Sequence, residues 1–514
     1  MLGPNDQVGH LSKVGLLYRA IVLEIACLFT TPVQHDIHIL KMEYDMAAGT
    51  GAPESKTYPH ESVTSEGNEG KMRIKAPKVD VSVLAEPITL PFSGRTARNR
   101  FLKAPMTERL CHWNQEGEEI NARGYPSEEY TRLYERWGEG EIGIIVAGNL
   151  MLRYDAVEAF GNPILQDDHD NRTQAFRKVS EVAKKNGSLF IAQLSHPGRQ
   201  GGAALNPNPV SASDVQLKIE WAGNKFNKPR ALSIPEIKEM VKLWGETAYL
   251  CQQSGFDGVQ VHCAHGYLLA QFLSLTTNKR TDEYGGANLT NRSKIIFEII
   301  DEIKQRVNDP AFIICVKINS VEFQPGGQTP DDCKNLCLKL EEAGVDLIDL
   351  SGGTFEGRAF EHKKASTRAR ESYFIEFAEM IRPLLKQTKV YVTGGFRTAA
   401  GMSAAISSGA CDGVGLGRPL GAEPFLCKEI LEGRVTGAIE NFVPLPLNTQ
   451  ATGTQLQQVG MGDRLVSDWS DGGEVQRWVE ANERETARKI EILPRVDSSG
   501  FPPLKAEVGF EYLR

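Results

Sequence analysis

The chain lacks the marks of several common protein classes. Its nine cysteines contain no C-x-x-C pair. They are scattered, odd in number and set mostly in apolar or helical stretches. A disulfide framework is not expected, nor is a zinc or iron–sulfur site, and a reducing, cytoplasmic compartment fits. Positive charge is not in excess either: Lys and Arg number 58 against 66 Asp and Glu, for a formal net charge of −8. A nucleic-acid partner, whose phosphates call for clustered cations, is therefore not expected. An uninterrupted apolar run of about 20 residues, the length of a spanning helix, is also missing. The most apolar early stretch, Val14 to Phe29, is broken by Arg19 and Glu24. It reads as a signal anchor, a buried or interfacial helix, or an extension outside the working protein, and no membrane partner is expected. Its acids argue against a transit peptide.

The rest has ordinary globular values, 41% hydrophobic and 24% charged residues. A length of 514 residues allows several domains, although one α/β barrel can absorb about 250 residues or more. Three segments are expected. Residues 1–80 form an N-terminal extension, within which 46–75 is rich in Gly, Ala, Ser, Glu and Pro and reads as a disordered linker. Residues 81–435 alternate short β-rich runs with longer helical patterns. Residues 436–514 form a tail, with an amphipathic helix over Glu474 to Ile490 and a loop over Pro494 to Pro503. The tail is expected to pack on the exterior of the main domain or on a partner subunit, a homodimer being the candidate assembly.

Eight strand candidates occur in the central segment: Arg100–Ala104, Ile142–Ala147, Leu189–Leu194, Gly258–His262, Phe312–Ile318, Asp346–Ser351, Lys389–Gly394 and Gly413–Gly417. Several are near-continuous apolar runs, as strands buried on both faces should be. Ser233-Ile234-Pro235-Glu236 and Thr329-Pro330-Asp331-Asp332 are helix starts, each with a hydroxyl N-cap, Pro in the first turn and an acid at the capping-box position. Gly344 supplies a left-handed residue to end the second helix. Eightfold repetition of strand then helix predicts a closed (β/α)8 TIM barrel with an N-terminal extension and a C-terminal helical tail. An open doubly wound sheet would want a G-x-G-x-x-G turn after the first strand; Pro105-Met106-Thr107 stands there instead.

Barrel active sites sit at the C-terminal ends of the strands, so those ends can be read in turn. The fourth ends in His262-Cys263-Ala264-His265-Gly266-Tyr267. Two histidines three apart could ligate a metal, but the local sequence offers no third ligand. They could equally be loop histidines held by backbone, or a pair of N–H donors gripping a carbonyl oxygen beside Tyr267 as proton donor. The third strand carries Gln193, whose amide matches a ring edge with N–H and C=O groups or pairs with neighbouring backbone. The fifth carries Lys317, which needs a charged partner inside an apolar strand: an anionic cofactor or a barrel glutamate. The seventh and eighth end in Gly394-Gly395 and Gly417-Arg418. Glycines there admit backbone N–H groups to an anion and the arginine adds forked geometry, the pattern of a barrel phosphate site.

These residues, in this order, resemble the old yellow enzyme (NADH:flavin oxidoreductase / NADH oxidase) family, and a fungal-type member of it. The matching stretches are Asn99 to Thr107, Ala192 to Arg199, and above all His262 to Leu268 running into Asn278-Lys279-Arg280-Thr281-Asp282-Glu283-Tyr284-Gly285-Gly286. The resemblance implies FMN, with Ala104, Pro105, Met106 and Thr107 along the isoalloxazine and Gly148 and Gln193 at its polar edge. Lys317 would stand where the family usually has arginine, and Gly394, Gly395, Gly417 and Arg418 would grip the phosphate. It further implies reduction of the C=C bond of enone-type substrates by NADPH or NADH, with His262 and His265 holding the carbonyl oxygen and Tyr267 as acid. A flavin-dependent demethylase or isomerase, or a non-catalytic flavin-binding barrel, are the other readings. Cys427 alone lies beyond Arg418, so no iron–sulfur relay is expected.

Overall fold

Residues 72–113, 118–219, 225–322, 326–356 and 371–492 are described by the computed structural model, with backbone alone at 489–492 and 509–511. The Val14–Phe29 stretch and the Pro494–Pro503 loop lie outside the described residues.

Eight parallel strands close into one barrel in sequential order. They are β1 (Phe101–Lys103), β2 (Ile144–Met151), β3 (Leu189–Ser195), β4 (Gly258–Cys263), β5 (Ile313–Asn319), β6 (Leu347–Ser351), β7 (Lys389–Thr393) and β8 (Gly413–Leu416). Each coincides with an expected run, shifted by a residue or two at its ends. The exception is β2, which continues to Met151 through an irregularity between Ala147 and Leu150. Helices cover the outside: α1 (Glu128–Glu139), α2 (Arg172–Lys184), α3 (Ile234–Gln253), α4 (Leu268–Leu273), α5 (Leu289–Val307), α6 (Pro330–Glu342), α7 (Ile375–Ile381), α8 (Ala399–Ser407), α9 (Pro419–Ala422) and α10 (Leu426–Leu431). Both expected helix starts form full capping boxes, Ser233 with Glu236 and Thr329 with Asp332. A cap of this kind contributes about 1 kcal/mol. Gly344 takes a φ of +69° beyond the end of α6.

Why every position of β2, β3, β4, β5 and β6 is buried follows from the two faces of the barrel wall. Outward residues such as Val259, Val261 and Cys263 join the apolar layer under the helices. Inward residues near the strand starts, among them Ile144, Ile191, Ile313, Cys315, Leu347 and Tyr391, pack with Ile88, Leu90 and Ala97. The latter come from an antiparallel hairpin, Ile88–Thr89 with Thr96–Ala97, which plugs that end. Each such burial contributes roughly 1.5–3 kcal/mol. Side chains repeat their direction every second residue along a strand. Two positions further on, the inward residues become Gln193, Gln260, Lys317, Asp349 and Thr393. The barrel thus changes from apolar to polar as it approaches its C-terminal rim.

One expectation needs correction. The linker was expected to run to residue 75, but Met72–Ile74 pair with the chain near 438: Ile74 N–H donates to Ala438 O at 3.0 Å and Glu440 N–H to Met72 O at 2.9 Å. Arg73 also meets Glu423 at 2.5 Å. The polar, glycine-rich composition of the stretch hid the few residues that a distant strand end could capture. The tail packs against the barrel's helices, Arg132 of α1 donating to Gly460 O at 2.6 Å. It forms α11 (Asn448–Met461) and α12 (Gly472–Ile492), which reach the mouth of the cavity described next. No helix among the described residues is long and apolar enough to cross a membrane.

Candidate active site

Above the polar rim lies a cavity of ≈ 390 Å³, within the range of small-molecule sites. Its floor is a hydrogen-bonded chain of side chains set by strand register. Gln193 and Gln260 are cross-strand partners, as are Lys317 and Asp349. Gln193 Nε2 donates to Gln260 Oε1 at 2.8 Å, and Gln260 Nε2 to Asp349 Oδ2 at 3.4 Å. Lys317 Nζ meets the same Asp349 oxygen at 2.5 Å, and Thr393 Oγ1 donates to Asp349 Oδ1 at 2.7 Å. Gln193 pairs with a side chain rather than backbone, and the carboxylate beside Lys317 is Asp349, not a glutamate. A buried lysine without this partner would be strongly unfavourable.

The strand-4 motif supplies one wall. His262, His265 and Tyr267 all line the cavity, with the His262 ring 5.3 Å from that of His265 and 4.8 Å from that of Tyr267. The two imidazoles are not equivalent. His262 Nδ1 accepts the Ala264 N–H at 3.4 Å, which leaves Nε2 to carry the proton of the neutral ring. His265 adopts a φ of +59°, an uncommon backbone for a side-chain-bearing residue that costs about 1–3 kcal/mol. Asn319 Oδ1 accepts its N–H at 3.1 Å, and its Nε2 lies 2.9 Å from Ser351 Oγ. Burial and the nearby His265 and Lys317 push His262 well below the usual imidazole range. Burial and Lys317 bring His265 down to about 3. Both rings are therefore neutral donors at pH 7. Burial and the Glu158 carboxylate hold the Tyr267 hydroxyl well above its ordinary value, against a hydrogen bond from Asn149 and the charge of Arg109.

After β1 the chain Ala104-Pro105-Met106-Thr107 runs along the cavity. Gly148 permits its path, since a Cβ there would come within 1.7 Å of the Met106 carbonyl oxygen. Gly148 itself is not among the lining residues, and its N–H donates to Tyr134 OH at 3.2 Å. Its neighbour Asn149 lines the cavity instead, donating to Thr107 Oγ1 at 2.9 Å, while Thr107 Oγ1 donates to Glu158 Oε2 at 3.1 Å.

The remaining wall comes from the ends of β7 and β8. Gly394 and Gly395 have φ of +135° and +97°, open only to glycine without strain. At Gly417 an added Cβ would meet Ala104 and Met106 only at ordinary van der Waals distance, 3.9 Å. Arg418 lies here, its Nη2 3.4 Å from Tyr373 OH. Arg397 joins it. Burial and the like charge of Arg418 push the Arg397 guanidinium down to about 10, so an anion between the two would relieve both.

Of the residues expected from sequence, thirteen thus share one cavity and Gly148 stands just behind it. Sequence reading missed Asn149, Glu158, Arg109, Gln260, Asp349 and Arg397. Asp349 alone had a legible signal, an acid in the apolar run Leu347-Ile348-Asp349-Leu350. Among the described residues no group of three His, Cys, Asp or Glu side chains could hold a metal ion.

A model of the NADH:flavin oxidoreductase / NADH oxidase family matches residues 83–436. The NADH-dependent flavin oxidoreductase nadA of Aspergillus parasiticus is 42% identical over 434 residues, 83% of this chain and 96% of that protein. The NADH-dependent flavin oxidoreductase iliE of Hypocrea jecorina is 32% identical, over 67% of this chain and 88% of the relative. Among solved structures, an old yellow enzyme homologue from Zymomonas mobilis shares the fold with a TM-score of 0.58 at 23% identity, covering 69% of this chain and 94% of that one.

Proposed function

The chain belongs to the NADH:flavin oxidoreductase / NADH oxidase family, and on that premise we propose that it reduces the C=C bond of α,β-unsaturated carbonyl compounds. It is an oxidoreductase that uses FMN with NADH or NADPH as hydride donor. The residues around the cavity fit that cofactor. Gly394, Gly395, Gly417, Arg418 and Arg397 would hold its phosphate, the two guanidiniums offering it forked, charge-assisted donors. Ala104 to Thr107 would flank the ring, and the Gln193 amide and Lys317 ammonium would address its polar edge. Gly148, its N–H committed to Tyr134, would offer at most its carbonyl.

When bound, FMN would supply the two-electron hydride chemistry between a nicotinamide and an electron-poor alkene. The protein's own part is to hold and polarise. The Nε2–H of neutral His262 donates to the substrate carbonyl oxygen and absorbs negative charge as it develops there. His265, tied to Ser351, sets the edge of the same pocket. Tyr267 keeps its proton at neutral pH and delivers it to the α-carbon. The observation that carries this reading is the 4.8 Å contact between His262 and Tyr267: one N–H donor and one O–H donor on a single wall. The eight cysteines among the described residues are unpaired and buried, which supports a reducing compartment such as the cytoplasm.

Purified protein is expected to be yellow, to bleach anaerobically with NADH or NADPH, and to recover its absorption on addition of 2-cyclohexenone. Protein that stays colourless with added FMN would refute the cofactor site. Bleached protein that no enone reoxidises would refute ene reduction.

A further inference from the structure

The family match stops at residue 436, yet residues of α11 and α12 beyond it line the same cavity, among them Gln450, Asn482, Glu485 and Thr486. Their position follows from packing. Gly421 of α9 lies against α11, where an added Cβ would come within 2.5 Å of Thr452 Cγ2. Because α9 begins directly after Arg418, α11 stands beside the end of β8. Trp478, fully buried, ties α12 to α11 by donating its Nε1–H to Thr454 Oγ1 at 2.9 Å. Asn482 follows four residues later and so shares that face of the helix.

Asn482 is 8% exposed and lines the cavity, and its side chain makes no hydrogen bond to any described residue. A buried amide in that state is a group arranged for a ligand. Gln450 Oε1 is likewise buried without a partner, and rotation of that amide presents its N–H₂ instead. Glu485 does not oppose an anion here, because Arg488 takes its carboxylate in a forked pair at 2.6 and 2.8 Å.

We propose that α11 and α12 are a built-in wall of the flavin site, in which the amides of Asn482 and Gln450 donate to the phosphate end held by Arg418, so that the tail governs how slowly FMN leaves. This rests on the FMN reading of the cavity. It gives the segment beyond the family match a function: cofactor retention.

The test is release of flavin from the full-length holoprotein after dilution, followed by recovery of free-flavin fluorescence. FMN is compared with riboflavin, which lacks the phosphate. Asn482→Asp is expected to release FMN about tenfold faster, a loss of one charge-assisted hydrogen bond, while riboflavin release stays within about twofold of wild type. Gln450→Glu supplies the same comparison from the other helix should the first variant fold poorly. FMN release unchanged in the variants, or FMN and riboflavin accelerated alike, would overturn the proposal. Wild-type protein that never binds FMN would instead overturn the cofactor reading beneath it.

Discussion

Lys317→Met removes the ammonium from the floor of the cavity and leaves Asp349 behind, fully buried. Breaking a buried ion pair by deleting one partner costs about 3–5 kcal/mol, because the remaining charge has lost its counter-charge. Here Asp349 keeps two donors, Thr393 Oγ1 at 2.7 Å and Gln260 Nε2 at 3.4 Å. These lower the expected loss to about 2–4 kcal/mol. Asp349→Leu should cost a similar amount, since it strands the lysine. The double variant Lys317→Met/Asp349→Leu should recover most of the loss, as an apolar pair of comparable volume often does. The assay is urea unfolding of the four apoproteins as a double-mutant cycle. Using apoprotein keeps flavin binding out of the comparison. Single variants that each lose less than about 1 kcal/mol, or a double variant whose loss is the sum of the singles, would show that the pair is not coupled as the 2.5 Å contact requires.

Tyr267→Phe should slow reoxidation of reduced enzyme by 2-cyclohexenone by about 10²–10⁴-fold while flavin reduction by nicotinamide changes little; stopped-flow traces that slow equally in both half-reactions would remove Tyr267 as the acid. His262→Ala should weaken phenol binding by about tenfold or more, and His265→Ala by less, because His265 already engages Ser351 at 2.9 Å; the flavin charge-transfer band reports both, and equal effects would contradict the asymmetry. Stability should fall as the medium is acidified from pH 7.5 to 5.5, above the ordinary carboxylate range. His196, buried, and His265, half-buried, are both brought down to about 3; they stay neutral when folded but take up protons near pH 6.5 when unfolded. The stabilisation is complete above the unfolded value and is lost as pH falls toward the folded one. A thermal midpoint that stays level or rises across that interval would refute it.

How much could be read in advance depended on the range of the interaction. The Ser233–Glu236 and Thr329–Asp332 capping boxes formed as expected because all their partners lie within four residues. The strands were legible because residues buried on both faces must be apolar, whatever their neighbours. The chemistry of the rim was legible only as residue types. Gln193 and Lys317 each demanded a partner, but the partners lie 67 and 32 residues away, and only strand register says which they are. Glu158 and Asn149 went unread, since a single carboxylate beyond a strand and a single amide near a strand end do not show in sequence what they face. What the tail covers was not legible, because amphipathicity reveals that α12 buries one face, not what it buries that face against.

By itself, then, the sequence determined the eight strands, the helix starts, and the motifs that became His262, Tyr267 and the glycine–arginine rim. Each depends on local preference or on residue type. Barrel closure decided the rest: Lys317 on Asp349, His262 with its Nε2 unengaged and His265 with its Nε2 on Ser351, Gly148 behind the cavity and Asn482 within it. Those outcomes depend on which distant segments meet, and that is settled only when the wall closes and the tail packs against the end of β8.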